Sequence, residues 1–310
     1  MDALAKEFLP RLDRLFHEVI QTELQGSPLR EMLEYQWKSG GKRLRPLCVA
    51  VAAGDARHTE EALRFALAVE LIHNATLIHD DIQDGDIYRR GQPTLWKKYG
   101  LAHGINAGDA LFFLPQVLLE NPALLGLLHR CTLAVIEGQC REVDLRERFA
   151  RGEEFSMADY ERMVAGKTSA LFRMPVEGGR IIAGEVLSRE ERHALEALGL
   201  AFQIQDDMLD LWGEKGRDRR GSDIAEGKLS YPVVEGLRLL EGPARREFVR
   251  IVTAPREETT PAEVEWAIDA LERCGAREAA MDRISFFRSK AALGGGLLDR
   301  VRAIIFGRTE

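Results

Sequence analysis

The chain has 310 residues, of which 45% are hydrophobic and 30% are charged, and its formal net charge is −7. This composition is typical of a soluble globular protein, and the negative charge argues against a nucleic-acid surface as the main function. No apolar run reaches about 18 residues, so no transmembrane helix is expected. The first residues lack the basic-then-apolar order of a signal peptide. The four cysteines have no C-x-x-C spacing, which indicates reduced thiols in a cytoplasmic protein.

The N-terminal part of the chain is predicted to be helical up to about Lys38. Apolar residues at helical spacing predict an amphipathic helix over residues 2–24, and a second helix follows the break at 26–28. The basic segment 39–46 comes next, with two glycines, three cations and a predicted helix start at Pro46. Glycine permits unusual backbone angles, and the free N–H groups of a helix start attract anions. The segment indicates a phosphate site, and an ordinary basic loop is the alternative.

A long helix is predicted over residues 59–83, and it leads into a first acidic segment at residues 77–84 with the pattern D-D-x-x-D. Asp80 and Asp84 lie one helical turn apart, so they project from the same face. His73 lies about two turns before Asp80 and can face the same way. It is either a satisfied core histidine or a phosphate ligand.

Paired arginines, Arg89 and Arg90, follow the first acidic segment within a loop. A diphosphate is bound well by a metal on some of its oxygens and by arginine forks on others. Residues 104–119 are then predicted to form a buried helix. The adjacent Phe112 and Phe113 are expected in the core or in the wall of a pocket.

The second half of the chain is also predicted to be helical. Lys167 and Thr168 have small neighbours, which suits the close approach of a ligand. Residues 212–228 are polar, contain glycine and are rich in charge, a composition typical of a functional loop or lid. No strand pattern, solenoid period or Pro- or Gly-rich linker is evident, so we expect one all-α domain over residues 1–310. The predicted helices span residues 127–149, 157–182, 189–212, 231–252, 261–275 and 276–306.

A second acidic segment, residues 202–210, repeats the pattern of the first. Asp206 and Asp210 again share a helical face. An apolar helix does not bury several carboxylates without counter-charge, and Mg²⁺ accepts a few carboxylates together with phosphate oxygens. A single such segment is usually a solvated helix end, whereas two copies with apolar flanks predict a shared metal–diphosphate site.

Two basic clusters and two acidic segments together predict a particular chemistry. Two clusters of cations imply that two anionic groups are bound at once, and apolar walls between helices imply that the rest of each substrate is hydrocarbon. A metal bound to a diphosphate makes it a good leaving group, and a dry pocket protects the resulting carbocation from water. No Ser-His-Asp or Cys-His arrangement is evident.

From Gly40 to about Pro232, these motifs resemble those of the trans-isoprenyl diphosphate synthases, or polyprenyl synthetases. The resemblance implies the all-α isoprenoid synthase bundle of helices around a central cavity, commonly as a homodimer. In chain order the motifs are Gly-Gly-Lys-Arg-Leu-Arg-Pro at 40–46, Leu-Ile-His-Asp-Asp-Ile-Gln-Asp at 77–84, Arg-Arg-Gly-Gln-Pro-Thr at 89–94, Lys167-Thr168, Phe-Gln-Ile-Gln-Asp-Asp-Met-Leu-Asp at 202–210 and Gly-Ser-Asp at 221–223.

The resemblance also implies a head-to-tail condensation and a role for each motif residue. Isopentenyl diphosphate would be held by Lys42, Arg45, His73 and Arg90. The allylic diphosphate (dimethylallyl, geranyl or farnesyl) would be held by Arg89, Lys167, Thr168, Gln203 and Lys228. Mg²⁺, expected as three ions that Mn²⁺ can replace, would be carried by Asp80, Asp84 and Asp206, with Asp81, Asp207 and Asp210 as further ligands or as partners that orient the ligands. The residues expected to act in catalysis are Asp80, Asp84, Lys167 and Asp206.

One position departs from the family pattern. Members of the family usually carry a lysine three residues before the glycine of Gly221-Ser-Asp, and this chain has Asp218 there. Arg217, Arg219 or Lys215 would have to supply the cation, and the sequence does not decide which one does.

The length of the product depends on the floor of the pocket, which is expected one turn before Asp80. Ala75 and Thr76 occupy this position, where short-chain members of the family often carry a bulky aromatic residue. Small residues argue against a fifteen-carbon product and favour the twenty-carbon geranylgeranyl diphosphate, with shorter or longer products as alternatives. Residues that would close the pocket more deeply are Leu71, Ile72, Phe112 and Phe113.

Three other functions are weighed against this one. A class I terpene cyclase shares the fold and the metal chemistry, but Asp210 stands where its second motif has a hydroxyl residue, and the basic segment 39–46 indicates a second diphosphate. A non-catalytic subunit of a heteromeric synthase usually has eroded acidic motifs, and both are intact here. A helical scaffold without a ligand would leave six ordered motifs unexplained.

Overall fold

The structure, a computed structural model, describes residues 2–213, 220–292 and 296–307. The expectation of an all-α fold is confirmed, because helices account for nearly all regular structure in these ranges. Within the same ranges, no helix combines the length and the hydropathy that crossing a membrane requires. The cations proposed to replace the missing lysine, Lys215, Arg217 and Arg219, lie outside the described residues, as does Asp218.

The helices up to the middle of the chain are α1 (Asp2–Glu23), α2 (Leu29–Lys38), α3 (Leu44–Ala53), α4 (Glu60–Gln83), α5 (Leu95–Tyr99), α6 (Leu101–Phe113), α7 (Pro115–Leu118) and α8 (Pro122–Ala150). Those that follow are α9 (Met157–Val164), α10 (Ala170–Ile182), α11 (Arg189–Trp212), α12 (Ser222–Ala225), α13 (Tyr231–Leu239), α14 (Gly242–Thr253), α15 (Pro261–Arg273), α16 (Ala276–Lys290) and α17 (Leu297–Phe306). The remaining elements are a 3₁₀ helix (Gly54–His58), the strands β1 (Tyr88–Arg89) and β2 (Gln92–Pro93), and a π-helix (Ala165–Ser169).

The chain divides into two compact units. The first unit comprises Met1–Thr132, Leu171–Arg192 and Gly294–Glu310, and the second comprises Leu133–Ala170 and His193–Leu293. The first acidic segment and the basic segment belong to the first unit, whereas the second acidic segment and Lys167 belong to the second. The expectation of a single domain stays a prediction.

Helix α4 is the core of the first unit. Its side chains are buried on all sides of the helix from Ala62 to Ala75 with few exceptions, as expected of a helix that is apolar all round. The hydroxyl of Thr59 caps its first turn by accepting the N–H of Ala62 at 3.2 Å. α6 packs closely on it because α6 has a glycine at the contact: an added Cβ at Gly108 would lie 2.2 Å from His79 Nε2.

The prediction of one buried helix over residues 104–119 is wrong in two respects. Pro115 begins a new short helix, α7, because a proline cannot continue the backbone hydrogen bonding of α6. Leu101, Ile105 and Phe113 of α6 and Val117 of α7 are exposed. Phe113 is 66% exposed, so the expectation that it belongs to the core is also wrong.

Helix α11 is the core of the second unit, and it approaches the π-helix through a glycine. An added Cβ at Gly199 would lie 2.3 Å from Ser169 Oγ, and one at Gly138 would lie 2.4 Å from the backbone nitrogen of Lys167. Close contacts of this kind hold the backbone around Lys167 on both sides. The prediction of a continuous α-helix over 157–182 therefore misses a π-turn, a feature that often marks functional sites.

Other predicted helix limits differ at residues that break helices locally. The predicted helix 231–252 is two helices, because the chain is extended at Leu240 and Glu241, just before Gly242 begins α14. The predicted helix 276–306 is likewise divided into α16 and α17. α3 begins at Leu44, two residues before the expected start.

Candidate active site

Four arginines of the first unit act on His73 through their positive charge. They are Arg43, Arg45, Arg89 and Arg90, which we call the arginine cluster. Burial and these four positive charges lower the pKa of His73 well below its usual value, so the ring is neutral near neutral pH. A neutral imidazole can still donate one N–H group to an anion.

Arg43 has a structural role within the arginine cluster. Its guanidinium lies 2.6 Å from the buried carboxylate of Glu70, donates to the backbone oxygen of Trp37 at 2.9 Å and stacks on the Trp37 ring at 3.8 Å. The Arg43 backbone has a φ of 48° and forms the N-cap of α3. The sequence analysis did not identify Glu70 as a partner of Arg43, and its place as a carboxylate in an apolar helix is the signal that could have done so.

Arg45 and His73 have buried polar atoms that no described residue satisfies. The Nε atom of Arg45 and the Nδ1 atom of His73 have no hydrogen-bond partner. Burial lowers the pKa of the Arg45 guanidinium, which lies over the ring of Phe172 with 5.2 Å to its centroid. Buried polar atoms without partners are costly, and an anion would satisfy the Arg45 donor and, in the tautomer that protonates Nδ1, His73 as well.

The β1–β2 hairpin positions Arg89 and Arg90, a strand pairing that the sequence did not reveal. Its two-residue loop, Arg90-Gly91, has φ angles of 52° and 74°, as in a type I′ turn. The Arg90 guanidinium donates to the backbone oxygen of Gly40. It lies so close to Gly41 that an added Cβ would be 2.9 Å from Arg90 Nη1. The absence of a side chain at Gly41 therefore makes room for Arg90.

Asp81 anchors this hairpin to α4. It is 1% exposed, and its carboxylate lies 2.6 Å from the guanidinium of Arg89. Burial raises the pKa of Asp81 to about 6 even though the charge of Arg89 acts in the opposite direction. Asp80 and Asp84 are half-buried and one turn apart, as the spacing predicted. The first acidic segment thus has one aspartate that is paired with Arg89 and two that lie nearer the surface.

The second acidic segment has two deeply buried aspartates. Asp207 is 4% exposed and accepts hydrogen bonds from Tyr160 Oη, Gln203 Nε2 and the backbone N–H of Tyr231, each at 2.8 Å. Asp210 accepts the hydroxyl of Ser222 at 2.6 Å at the start of α12. Asp206 is half-buried, like Asp80 and Asp84.

The π-helix presents Lys167 and Thr168 within the second unit. Lys167 Nζ lies 2.6 Å from the carboxylate of Glu142, and Thr168 donates its hydroxyl to Gln203 Oε1 at 2.6 Å. Gln203 therefore connects Thr168 with Asp207. The sequence placed Glu142 on a helix but did not show that it pairs with Lys167.

Lys228 follows the short helix α12. Its ammonium group lies 2.8 Å from the buried Glu226, and Arg256 lies 3.4 Å from the same carboxylate. The prediction that residues 212–228 resemble a lid rather than a packed element is wrong for the stretch from 221 onwards, because Asp223, Ile224 and Glu226 are buried. For Lys228, partnership with Glu226 keeps the ammonium group near the end of α12.

The residues expected at the pocket floor lie at different depths. Ala75 and Ile72 are fully buried in α4, whereas Thr76 is half-buried and donates its hydroxyl to the backbone oxygen of His73 at 2.8 Å. Phe112 is half-buried, with its ring 5.5 Å from that of His79. Their role in setting product length stays a prediction.

The half-buried aspartates of the first acidic segment could donate oxygen atoms to a metal ion. Within residues 2–213, 220–292 and 296–307, no three His, Cys, Asp or Glu side chains are grouped closely enough to hold a metal by themselves. Mg²⁺ is commonly bound by one or two carboxylates with phosphate oxygens and waters. Asp80 and Asp84, half-buried and one turn apart, provide oxygen donors of that kind.

The sequence matches the family model described as Polyprenyl synthetase over residues 27–271. A short chain isoprenyl diphosphate synthase of Methanocaldococcus jannaschii is 38% identical over 228 residues, which cover 69% of this chain and 68% of the relative. The farnesyl diphosphate synthase of Escherichia coli is 34% identical over 269 residues, 79% of this chain and 86% of the relative. These relatives differ in the product that their names give.

Solved structures agree with the sequence comparison. A crystal structure of a geranylgeranyl pyrophosphate synthase has a TM-score of 0.83 and 30% identity, and the match covers 99% of this chain and 97% of the other. A polyprenyl synthase of Caulobacter crescentus, complexed with calcium and isoprenyl diphosphate, has a TM-score of 0.84 and 28% identity, covering 98% and 94%. Members of this family depend on Mg²⁺. The fold, the family model and the curated relatives agree, and this chain belongs to the polyprenyl synthetase family of trans-prenyltransferases.

Proposed function

We propose that this enzyme condenses isopentenyl diphosphate head-to-tail with an allylic diphosphate and releases an (E)-prenyl diphosphate. The observation that carries the proposal is the arginine cluster around a neutral His73, in which Arg45 Nε and His73 Nδ1 are buried without partners. Four guanidinium groups exceed the negative charge of Glu70 and Asp81, so the cluster favours an added anion. A diphosphate has the charge and the acceptor oxygens that such donors require.

Each substrate is assigned to one set of basic residues. Lys42, Arg45, His73 and Arg90 hold the diphosphate of isopentenyl diphosphate. Arg89, Lys167, Thr168, Gln203 and Lys228 hold the diphosphate of the allylic substrate, which is the dimethylallyl, geranyl or farnesyl compound. The ion pairs of Lys167 with Glu142 and of Lys228 with Glu226 support this assignment, because they keep both ammonium groups charged and oriented.

The metal is assigned to Asp80, Asp84 and Asp206, the half-buried aspartates of the two acidic segments. When bound, Mg²⁺ neutralises the allylic diphosphate and makes it a better leaving group. We assign three ions to the complex, and Mn²⁺ is expected to replace Mg²⁺. The cationic side chains stabilise the negative charge that accumulates on the departing diphosphate, and that diphosphate takes up the proton lost from the condensed product.

The twenty-carbon geranylgeranyl diphosphate is the product that we propose. Ala75 has a small side chain that is fully buried on α4, one turn before Asp80. A small residue leaves space for a growing chain. Ile72, which is fully buried and precedes Ala75 by about one turn of α4, limits that space. The names of the relatives include farnesyl and geranylgeranyl products, so membership of the family does not by itself fix the length.

The homodimer is a further part of the proposal. Leu101, Ile105, Phe113 and Val117 are exposed apolar side chains on α6 and α7, with the exposed Asp109 between Ile105 and Phe113 in the sequence. Exposed apolar patches of this kind mark protein interaction sites. A second copy of the chain, which offers the same face, would bury it by two-fold symmetry.

The reaction is tested by incubating the purified protein with Mg²⁺, labelled isopentenyl diphosphate and each allylic starter in turn, and separating the dephosphorylated products. We expect a C20 alcohol, and no product from a variant with both Asp80→Asn and Asp84→Asn. A series of alcohols longer than C20 would agree with the proposed reaction but contradict the C20 assignment. A cyclic hydrocarbon formed from geranylgeranyl diphosphate alone would identify a cyclase instead, and the absence of any product would contradict the proposal.

Gly41→Ala should weaken the binding of isopentenyl diphosphate because the new methyl group displaces the Arg90 guanidinium. We expect KM for isopentenyl diphosphate to rise about tenfold, the equivalent of one charged hydrogen bond, while kcat and KM for the allylic substrate stay unchanged. Gly40→Ala is the matched control: Gly40 also has a positive φ, of 81°, but nothing lies within 4 Å of its added Cβ. Equal effects of the two substitutions would show that backbone strain, and not Arg90, is responsible.

Ala75→Phe should shorten the product, because an aromatic ring fills the space that the growing chain would occupy. We expect the ratio of C15 to C20 alcohol to increase at least about tenfold, since excluding one methylene-sized group already changes selectivity by roughly 10-fold or more. The product ratio does not depend on how much of the variant folds. Ala262→Phe, at an exposed alanine of α15, is the control. An unchanged ratio in Ala75→Phe would disprove the floor assignment.

Phe113→Glu should abolish the homodimer, because it places a charge at the most exposed of these four apolar side chains. We expect light scattering coupled to size exclusion to give twice the chain mass for the unaltered protein and the mass of one chain for the variant. Val186→Glu replaces an apolar residue that is 76% exposed elsewhere in the first unit and should leave the mass unchanged. An unaltered protein that already runs as a single chain would refute the dimer.

A further inference from the structure

Asp207 is the second aspartate of its acidic segment, and its carboxylate is enclosed by hydrogen-bond donors. Oδ2 accepts the hydroxyl of Tyr160 and the backbone N–H of Tyr231, and Oδ1 accepts the side-chain amide of Gln203. These donors come from α9, α13 and α11, so three elements of the second unit meet at one carboxylate. A carboxylate in this environment is held in place as the acceptor of three hydrogen bonds.

The tyrosine donor is permanent under ordinary conditions. Burial and the adjacent charge of Asp207 raise the pKa of Tyr160 well above its usual value, so the phenol keeps its proton. The ring of Tyr160 also packs edge-on against that of Tyr231, with 5.7 Å between centroids. A magnesium ion at Asp207 would need oxygen at about 2.0–2.1 Å in a near-octahedral shell, in competition with these donors.

The orientation of the Gln203 side-chain amide depends on the Asp207 carboxylate. Both oxygens of Asp207 act as acceptors, so Gln203 points its NH₂ group at Oδ1. Its Oε1 then faces the other way, where it accepts the hydroxyl of Thr168 at 2.6 Å. The three residues form a directed chain in which Thr168 donates to Gln203 and Gln203 donates to Asp207.

We infer that Asp207 is a positioning residue for the allylic substrate site: it fixes the orientation of Gln203 and, through Gln203, that of the Thr168 hydroxyl, and it does not bind the metal. The inference rests on the proposed function, which assigns Gln203 and Thr168 to the allylic diphosphate. The two neighbouring aspartates therefore have different roles, since Asp206 is assigned to Mg²⁺ and Asp207 orients side chains.

The experiment compares Asp207→Asn with Asp206→Asn. The new amide of D207N keeps an oxygen for Tyr160 and Tyr231 but turns an NH₂ group towards that of Gln203, which must rotate and present NH₂ to Thr168. We expect kcat to fall about tenfold to a hundredfold, as when a group beside the reacting atoms is misplaced. The Mg²⁺ concentration for half-maximal rate and KM for isopentenyl diphosphate should stay within about twofold of the unaltered enzyme, a margin well below the tenfold that corresponds to one charged hydrogen bond. D206N should instead raise the Mg²⁺ requirement.

A double-mutant cycle with Gln203→Leu tests whether the effect passes through Gln203. If Asp207 acts by orienting Gln203, D207N should cause no further loss of kcat in an enzyme that already carries Q203L. The inference would be overturned if the losses of kcat in D207N and Q203L multiplied in the double variant. It would also be overturned if D207N raised the Mg²⁺ requirement or left kcat unchanged.

A crystal structure of the unaltered enzyme with Mg²⁺ and inorganic diphosphate shows whether Asp207 binds a metal ion, even if D207N does not fold. We expect Asp207 to keep its bonds to Tyr160 and Gln203, and a metal ion bound to its carboxylate would refute the inference. An unaltered enzyme that makes no prenyl product contradicts the proposed function. An active enzyme with a metal on Asp207 contradicts only this inference.

Discussion

A buried carboxylate must be paired with hydrogen-bond donors or a positive charge. Because of this constraint, the aspartates of each acidic segment have different roles. In both segments the second aspartate is buried and held by specific donors: Asp81 by Arg89, and Asp207 by Tyr160, Gln203 and the backbone of Tyr231. These contacts anchor the hairpin in the first unit and join three helices in the second. The half-buried aspartates are thereby left in the more polar surroundings that a hydrated metal requires.

The arginine cluster follows the opposite rule, because it has more positive charge than its neighbours neutralise. Arg43 is paired with Glu70, and Arg89 with Asp81, so these two arginines stabilise the site without a ligand. The cluster also keeps His73 neutral, and Arg45 Nε and His73 Nδ1 are buried without partners. An anion would satisfy such groups, and this supports the proposed diphosphate site in a protein whose net charge is −7.

Backbone geometry contributes as much to the site as the side chains do. The left-handed angles of Arg43 and Arg90 occur where a basic residue must leave a helix start or a two-residue turn at a fixed angle. Gly41 admits the Arg90 guanidinium, and Gly138 and Gly199 admit the π-helix that carries Lys167 and Thr168. Glycines and unusual backbone angles therefore help to position basic side chains within each unit.

The amino-acid sequence by itself determined the helical class, the long helices α4 and α11 and the identity of the motif residues, because helical period, glycine and charge are local properties. It missed the π-turn and the exposed face of α6, since neither follows from local pattern. Only the tertiary structure decided which charged and polar side chains are partners of one another. Arg43 and Glu70 are 27 residues apart, and Tyr160 and Asp207 are 47 residues apart. Such pairs depend on which helix faces pack together, and that packing is a property of the whole folded unit.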